Sequence, residues 1–384
     1  MKRVAIVSAT RAEYGILTPL IKRISAADDL DLDLIITGAH LSEKYGMTVS
    51  FIEEDGFDIA HRIPILDDGN EPYNISVTMA NAIKGFAECF KTDRPDMLII
   101  LGDRTEMLGV AAAAVDERIP IAHIHGGEVT EGAVDDCIRH AITKMSYLHF
   151  TSTEIYRRRV IQMGEEPSRV YNVGALSTEN ILHEELLSEN DIREALCVPA
   201  GMDYALVTFH PVTLENDTAE RQVASLCDSI GCYPNIFFAM TMANSDTGSD
   251  IVNSNLGGYV TVNDNARMFQ NLGMKRYLSA MKYAKFVIGN SSSGIVEAPV
   301  IGTPTVNIGD RQKGRLMAES IISCKPVKEE ICNAIGKACL MSHIPSHMYG
   351  CGNTSKKIIS IIEERLSHGG ICTEKKFYDI DFEV

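Results

Sequence analysis

The sequence lacks an apolar stretch long enough to cross a membrane. A membrane-spanning helix needs roughly 18 consecutive apolar residues, and no run in the 384 residues reaches that length. The first apolar run, within MKRVAIVSATRAEYG, has only a few residues. It is too short for the core of a secretion signal and predicts a first buried strand. We therefore expect a cytoplasmic protein with no membrane partner.

The sequence also lacks an excess of positive charge. Its formal net charge is −16, with 36 lysines and arginines against 52 aspartates and glutamates. General nucleic-acid-binding proteins present a basic face, so we expect no nucleic-acid partner. An anionic ligand would need a local positive pocket that acts against the overall field.

Two cofactor signatures and the usual metal-binding cysteine pair are missing as well. Ten cysteines are scattered through the chain without a C-x-x-C pair, which is typical of reduced thiols that share no metal. The first strand is not followed by G-x-G-x-x-G, and G-x-x-x-x-G-K-[ST] is absent. The sequence therefore supports neither a nicotinamide cofactor nor a Walker-type phosphate loop.

Apolar runs instead alternate with amphipathic stretches along nearly the whole chain. Continuous apolar runs predict strands covered on both faces, hence parallel α/β sheets. Helices are predicted between several of them, as at 73–92, 105–116 and 135–146. The predicted strands are 3–8, 32–37, 97–101, 119–124, 147–152, 204–209, 235–240, 286–290 and 303–308.

The number of strands allows either one barrel or two doubly wound domains. An acidic, polar stretch at 175–203 separates two strand series, and the alternation restarts at 204. The chain length also suits two domains. We therefore predict two doubly wound domains rather than a barrel.

Polar motifs directly follow two apolar runs in the first half of the chain. Arg11 in SATRAEYG comes where a strand ends and a helix begins, and Asp103 and Arg104 in LGDRTE hold the same place. A helix N-terminus attracts anions, and an arginine adds a charged fork. The alternative is a plain helix cap by Thr10 or by Asp103. Because ligands of doubly wound sheets bind at the carboxyl ends of strands, we interpret both motifs as parts of a site.

A third motif, HIHGGEVTEGAVDDCIRH at 123–140, places three histidines, two adjacent glycines and four carboxylates after an apolar run. The glycines permit a tight turn and a close approach of the backbone to a ligand. His123 and His125 alternate, as zinc ligands do at some strand ends, but nothing fixes a third and a fourth ligand. We therefore predict an acid/base cluster and no metal, with Asp135 or Asp136 as the cap of the next helix.

Two motifs in the second half suit phosphate binding. His210, in HPVT, is held out of a helix by the following proline and either donates to a phosphate or is a satisfied loop residue. In GNSSSGIVEAPVIGTPTVNIGDRQKGR, serines including Ser291 and Ser292 open a short helix and predict a phosphate cradle. A serine-rich cap is the alternative, although a cap needs only one serine. Glu297 would accept from ribose hydroxyls, and Arg311 would add positive charge.

These motifs, in this order, resemble those of the hydrolysing UDP-N-acetylglucosamine 2-epimerases, including the branch that serves sialic-acid-type sugar synthesis. The resemblance spans about residues 3 to 365, in TRAEYG, TGAHLSEKYG, GDRTE, GGEVTEGAVDDCIRHAITKMSYLHF, HPVT and GNSSSGIVE…GTPTVNIGDRQ. It implies a glycosyltransferase-B-like fold with two Rossmann-like domains and a cleft between them. The expected domains are 1–174, joined by a C-terminal helix at about 355–384, and 175–354. A homodimer or homotetramer is also implied.

The resemblance assigns roles to individual residues. It implies catalytic roles for Asp103, Asp135 and His210, and we predict such roles for His125 and Glu128 as well. The residues predicted to bind the substrate or the nucleotide are Arg11, Arg104, Asn244, Ser291, Ser292, Glu297 and Arg311. The reaction implied is elimination of UDP across C1–C2 to a 2-acetamidoglucal, followed by addition of water with inversion at C2. It requires no metal or redox cofactor, and it yields N-acetylmannosamine and UDP.

His125 departs from the pattern of the sialic-acid branch, which commonly has a catalytic glutamate in HIEGGE. Histidine is also a base near neutral pH, so activity is compatible with the change, but the substrate can differ. The alternative substrate is a UDP- or GDP-linked 2,4-diacetamido-2,4,6-trideoxyglucose (N,N'-diacetylbacillosamine) on the way to legionaminic acid. A glycosyltransferase of the same fold is the alternative from another class.

Overall fold

The computed structural model describes residues 1–69, 71–131, 134–212, 218–243, 248–367 and 371–381. The chain divides into two compact units. Unit 1 comprises Met1–Glu128, Asp135–Asn180 and Gly350–Val384, and unit 2 comprises Val129–Val134 and Ile181–Tyr349.

Unit 1 contains a parallel sheet that has seven strands within the described residues, in the order β3-β2-β1-β4-β5-β6-β7. The strands are β1 (Lys2–Ser8), β2 (Leu30–Thr37), β3 (His61–Ile63), β4 (Met97–Leu101), β5 (Ile121–Ile124), β6 (Leu148–Thr151) and β7 (Val170–Asn172). The helices that accompany them are α1 (Arg11–Ser25), α2 (Val49–Glu54), α3 (Pro72–Thr92), α4 (Thr105–Asp116), α5 (Asp135–Met145) and α6 (Glu154–Gln162). The next helix, α7 (Ser177–His183), begins in unit 1 and ends in unit 2.

The buried middle of β1, at the centre of the sheet of unit 1, is continuously apolar because helices cover both faces of the sheet. In β1, Val4 and Ile6 pack with residues of α1 and α2, whereas Ala5 and Val7 pack with residues of α3, α4 and α5. Successive side chains of a strand point to opposite faces, so a strand between two helical layers needs apolar residues at every position.

Unit 2 repeats this plan with a parallel sheet of six strands in the described ranges, ordered β10-β9-β8-β11-β12-β13. Tyr204 and Leu206 lie in one core cluster, and Ala205 and Val207 lie in another. The elements are α8 (Glu189–Ala195), β8 (Asp203–Thr208), α9 (Ala219–Ile230), β9 (Ile236–Thr241), α10 (Ser249–Val262), β10 (Ala266–Phe269), α11 (Gly273–Tyr283), β11 (Phe286–Gly289), α12 (Ser293–Ile301), β12 (Thr305–Ile308), β13 (Ile321–Cys324) and α13 (Lys328–Ala338).

The last helix, α14 (Thr354–Ser367), belongs to unit 1. Its residues Ile358 and Ile362 are buried in the core that α1 lines, and Arg23 Nε of α1 donates to Ser355 Oγ at 2.6 Å. Beyond it, the tail segment 371–381 docks on the same unit. There Lys375 Nζ lies 2.7 Å from Glu165 Oε2, and the N–H of Tyr378 donates to the carbonyl of Gly164 at 2.9 Å.

Both sheets have a point at which the strand order reverses. In unit 1 the chain runs from β1 outward to β3 and then returns to β4, on the other side of β1. In unit 2 it runs from β8 outward to β10 and returns to β11 beside β8. The carboxyl ends of β1 and β4, and of β8 and β11, are therefore the positions at which doubly wound sheets bind ligands.

The predicted fold of two doubly wound α/β domains is confirmed, and the barrel alternative is wrong, because the strands form two separate sheets. Among the described residues no helix combines the length and the apolar character that a membrane crossing requires.

Candidate functional site

At the end of β1, the sequence folds into a capped helix start. The Thr10 side chain accepts from the N–H of Glu13 at 3.4 Å, and the Glu13 carboxylate accepts from the N–H of Thr10 at 3.0 Å. The cap by Thr10 is thus confirmed, and Arg11 is the first residue of the helix. The Arg11 guanidinium lies 4.6 Å from the centre of the Phe51 ring, and burial lowers its pKa.

Glu13 is a buried carboxyl at this strand end that the sequence reasoning missed. Burial raises the pKa of Glu13 to about 7, although the nearby Arg104 acts in the opposite direction. The signal was present in the sequence, because Thr10 and Glu13 have the spacing of a capping box.

At the end of β4, Asp103 and Arg104 have separate partners. Asp103 forms an ion pair with Arg139 of α5. Arg104 donates through Nε to Glu106 Oε1 at 2.6 Å. Arg104 is the cap position of α4 and makes no capping bond with its side chain. The alternative that Asp103 caps this helix is therefore wrong.

At the end of β5, the two alternating histidines have different environments. His123 is fully buried, with Nε2 2.7 Å from the carbonyl oxygen of Gly102 and Nδ1 3.1 Å from Thr143 Oγ1. Because a carbonyl only accepts, Nε2 is the protonated nitrogen. Burial lowers the pKa of His123 to about 3, so the ring is neutral. Both of its nitrogens are engaged within the protein, which removes His123 as a metal ligand.

His125 follows the last residue of β5 and has a backbone φ of +67°. Its N–H donates to the carbonyl of Phe150 at 2.9 Å, and its Nε2 accepts from the N–H of Leu176 at 3.3 Å. The imidazole thus lies beside the start of α7, at the carboxyl end of the sheet.

The diglycine after His125 is required by close packing inside unit 1. A Cβ on Gly126 would lie 3.0 Å from Thr143 Oγ1, and one on Gly127 would lie 2.5 Å from the carbonyl oxygen of Tyr156. Gly127 also has φ +78°. The sequence predicts that a ligand approaches the backbone at this diglycine. In the structure, residues of α5 and α6 make that close approach.

Glu128, next in the chain, is buried and oriented. Its Oε1 accepts from Ser152 Oγ at 2.8 Å. The carbonyl of Gly127 accepts from Arg159 Nη1 at 2.6 Å, and the carbonyl of Glu128 accepts from Arg139 Nη1 at 3.0 Å. Two arginines thus hold consecutive carbonyls of this turn.

The start of α5 adds two carboxylates. Asp135 is its first described residue and is partly exposed. Asp136 Oδ1 lies 3.6 Å from Arg139 Nη1, and its Oδ2 lies 3.5 Å from His140 Nε2. The structure therefore brings Asp103, the Glu128 turn and Asp136 to one buried arginine, which the sequence reasoning did not select as a site residue.

In unit 2, the end of β8 is joined to the end of β11 by Asn290. This residue is buried, and its side chain contacts both backbone polar groups of His210 at 2.7 Å. Gly289, just before it, has φ +143°, and a Cβ there would lie 1.9 Å from the carbonyl oxygen of Thr208. Glycine is thus obligatory for this close approach of the two strands.

The serines after Asn290 begin α12. Ser292 is exposed at the cap position and its side chain makes no capping hydrogen bond. Ser291 Oγ accepts from the N–H of Ser293 at 3.4 Å and from the hydroxyl of Ser293 at 3.0 Å. Tyr277 contacts Ser293 Oγ at 2.6 Å. Hydroxyls and the positive end of a helix therefore lie together at the carboxyl end of β11.

Two further residues predicted to bind the nucleotide lie on α12 and after β12. Glu297, on α12, is largely buried, and burial raises its pKa to about 7. Arg311, after β12, donates through Nη1 to the carbonyl of Asn290 at 3.2 Å, and Gln312 Nε2 donates to the same carbonyl at 2.9 Å. Asn244 lies outside the described residues.

The two units thus present different chemistry. In unit 1, carboxylates and a histidine follow β4 and β5, which suits proton transfer. In unit 2, His210, serine hydroxyls, a helix N-terminus and Arg311 follow β8, β11 and β12, which suits an anion such as a phosphate. In the described part of the chain, no group of three or more histidine, cysteine, aspartate or glutamate side chains is placed to hold a metal ion.

Comparisons with known proteins identify the family of this chain. Residues 22–363 match the family model described as UDP-N-acetylglucosamine 2-epimerase. A relative from Campylobacter jejuni, named GDP/UDP-N,N'-diacetylbacillosamine 2-epimerase (hydrolyzing), is 44% identical over 84% of this chain and 84% of its own length. One from Legionella pneumophila, named UDP-N,N'-diacetylbacillosamine 2-epimerase (hydrolyzing), is 31% identical over 98% of this chain and 100% of its own. The structure of Neisseria meningitidis UDP-GlcNAc 2-epimerase bound to UDP-GlcNAc has the same fold, with a TM-score of 0.81, 17% identity, and coverage of 95% of this chain and 100% of that one.

Proposed function

Because the chain belongs to the UDP-N-acetylglucosamine 2-epimerase family, we propose that it is a hydrolysing 2-epimerase of a nucleotide-linked N-acetylated sugar. In the first step, the C2 proton and the nucleoside diphosphate leave across C1–C2, and a 2-acetamidoglucal forms. In the second, water adds to the double bond with inversion at C2, and the free manno-configured sugar is released. The observation that carries the proposal is the carboxylate cluster that unit 1 gathers around Arg139.

The two steps need a base for the weakly acidic C2 proton and an acid for the addition. Asp103, Glu128 and Asp135 are the carboxylates that we assign to these transfers, and His125 stands where the sialic-acid branch has its glutamate. Ser152 and Arg139 restrict the orientation of the Glu128 and Asp103 carboxylates, respectively. Such preorganisation lowers the cost of reaching the geometry for proton transfer.

The departing diphosphate needs positive contacts. We assign this role to Ser291, Ser292, His210 and Arg311, because hydroxyls, helix N-termini and arginine stabilise developing phosphate charge. Their positions around Asn290 support the assignment. The further assignments are Glu297 to the ribose, with Arg11, Arg104 and Asn244 to the substrate or nucleotide.

Two sugars are candidate substrates. UDP-N-acetylglucosamine would give N-acetylmannosamine and UDP, and the family description favours it. UDP- or GDP-linked N,N'-diacetylbacillosamine is favoured by the relatives at 44% and 31% identity, which are named for that sugar. The histidine at position 125 also favours a departure from the sialic-acid branch. We therefore place the diacetamido sugar first and UDP-N-acetylglucosamine second.

Incubation with UDP- and GDP-linked N-acetyl sugars in D2O tests the proposal. We expect release of nucleoside diphosphate without an added acceptor, together with a manno-configured free sugar that carries deuterium at C2. A product without deuterium at C2 rules out the elimination. Release of UDP only with an acceptor sugar would identify a glycosyltransferase instead.

Three further points stay predictions: a homodimer or homotetramer, a place in the cytoplasm, and a role in sialic- or legionaminic-acid synthesis. Light scattering of the purified protein determines the first.

A further inference from the structure

Arg139 is a charged side chain in a place where charge is costly. It lies on α5 and is only 2% exposed. A buried guanidinium must be compensated by ion pairs and hydrogen bonds, since an unpaired buried charge strongly destabilises the fold. Arg139 is therefore fixed in position by the groups around it, and it fixes those groups in return.

The groups around Arg139 come from three separate segments. Its Nη2 pairs with the carboxylate of Asp103, after β4. Its Nη1 donates to the carbonyl of Glu128 at 3.0 Å, in the turn after β5, and lies 3.6 Å from Asp136 Oδ1, in the first turn of α5. Because an arginine offers several donors in one rigid plane, it can set the relative position of all three segments.

We propose that Arg139 is the positioning residue that holds Asp103 and the Glu128 turn in one arrangement at the acid/base site. This inference rests on the proposed 2-epimerase function. Arg139 acts through Asp103 and Glu128 and need not touch the sugar.

Asp136 has a supporting part. Its Oδ1 faces Arg139 Nη1, and its Oδ2 faces His140 Nε2. Asp136 contacts Nη1 of the guanidinium and Asp103 pairs with Nη2, so that one cation is shared by two carboxylates. Removal of Asp136 should weaken the arrangement less than removal of Arg139, because the ion pair with Asp103 and the bond to Glu128 remain.

The first test compares Arg139→Lys and Arg139→Met with the wild-type enzyme. Lysine keeps the charge but loses the planar set of donors. We expect kcat to fall about tenfold in Arg139→Lys and about a hundredfold in Arg139→Met, because misplaced catalytic groups slow the chemical step. KM and the inhibition constant of UDP should stay within about twofold. A Lys variant with wild-type kcat would overturn the proposal.

Arg3 provides the matched control. It also bridges two carboxylates in unit 1, with Nη2 2.7 Å from Asp33 Oδ2 and Nη1 2.5 Å from Asp93 Oδ1, but it lies at the start of β1. Arg3→Lys should lower the melting temperature and leave kcat within about twofold. An equal loss of kcat in Arg3→Lys would show that Arg139 acts only through stability.

A double-mutant cycle with Asp103→Asn gives the second test. Because Arg139 acts partly through Asp103, adding Arg139→Lys to Asp103→Asn should lower kcat by clearly less than the tenfold loss that Arg139→Lys causes in the wild type. Independent, multiplicative losses would overturn the inference while leaving the 2-epimerase reaction intact. Absence of wild-type turnover on every nucleotide sugar would instead overturn the proposed function, and the inference with it. The cycle uses only Arg139→Lys, which keeps the buried charge, so the inference can be tested even if the Arg139→Met variant does not fold.

Discussion

The side-chain amide of Asn290 holds the backbone of His210 by both of its polar groups. Asn290 Oδ1 accepts from the N–H of His210, and Nδ2 donates to the carbonyl of His210, each at 2.7 Å. The carbonyl of Asn290 also accepts from Arg311 and Gln312. One buried residue therefore connects the segments that follow β8, β11 and β12.

Asn290→Asp should disrupt this connection, because a carboxylate accepts from the His210 N–H but cannot donate to the His210 carbonyl. We expect the free energy of unfolding to fall by about 2 kcal/mol, since a buried acceptor is left unsatisfied. UDP affinity should fall at least tenfold. Urea unfolding and titration calorimetry measure both, with Asn255→Asp on α10 as the control. Unchanged UDP affinity would contradict a role for this contact in the site.

Asp103→Asn should lower turnover severely and leave nucleotide binding nearly intact. The amide keeps the shape of the carboxylate but cannot take up a proton, so we expect kcat to fall by roughly a thousandfold or more. The dissociation constant of UDP should stay within about twofold. Asp31→Asn, at an exposed position of β2, is the control. Near-normal turnover would remove Asp103 from the acid/base set.

Ser292→Ala should weaken UDP binding without a cost in stability. Its side chain is exposed and makes no capping bond to α12, so the helix loses nothing when the hydroxyl is removed. One hydrogen bond to a charged group contributes about 1.5 kcal/mol, or roughly tenfold in affinity. Ser291→Ala should weaken UDP binding too, but with some loss of stability through its bonds to Ser293.

Calorimetry with UDP and thermal unfolding of the same samples separate these two effects. Ser254→Ala, exposed on α10, should change neither quantity. Equal UDP affinity of the Ser292→Ala variant and the wild type would remove this serine from the phosphate site.

Glu297→Gln should change the pH dependence of stability. Burial raises the pKa of Glu297 to about 7 from an ordinary value of 4.5. The folded state therefore holds this proton more tightly than the unfolded state, and stability is lost as the pH rises from 4.5 to 7. Glutamine does not titrate. Relative to the variant, the wild type should lose on the order of 2 kcal/mol between pH 4.5 and 8.

Chemical unfolding of the wild type and the Glu297→Gln variant at several pH values provides this difference. The comparison is needed because burial also raises the pKa of Glu13 to about 7, which adds a similar slope to both proteins. Parallel stability curves for the two proteins would show that the Glu297 carboxyl is not buried.

Lys375→Met should loosen the docked tail segment. Burial would raise the pKa of Glu165, but contacts with His149, Lys144 and Lys375 outweigh it and lower the pKa to about 2. The stability that these contacts provide is present above pH 4.5 and is lost as the pH falls toward 2. We expect the variant to be about 1–2 kcal/mol less stable at pH 7. This difference should shrink below pH 4.5.

Lys376→Met is the control for the tail, because Lys376 is exposed beside Lys375. Equal stability of the Lys375→Met variant and the wild type at pH 7 would show that the tail does not contribute to folding. Thermal unfolding across this pH range provides the measurement.

The strands that sequence periodicity predicts are the inner strands of both sheets, and the strands that it misses are the edges. The four missed strands are β3, β7, β10 and β13, which are the outermost strands in their sheets. In β13, for example, none of the four residues is fully buried. An edge strand is covered less by helices and lacks the continuous apolar run on which the prediction depends.

The sequence likewise predicts only part of the site, namely the residues that directly follow the inner strands. Residues that directly follow an inner strand, such as Asp103 and His210, can be selected because the carboxyl ends of parallel strands are where ligands bind. Arg139 and Asn290 act through contacts with segments that are distant in sequence, and no local pattern reports those contacts. Only the folded chain shows that these two residues organise the predicted ones.

The left-handed backbone of His125, with φ +67°, has a consequence for how this position can evolve. A chain that needed only the bend would have glycine here, since other residues are strained by about 1 kcal/mol or more in this conformation. The side chain kept here despite the strain is therefore in accord with the role proposed for the imidazole. Histidine is among the residues enriched in the left-handed region, so this backbone accepts it more readily than glutamate, and the bend and the chemistry at the end of β5 are coupled at one position.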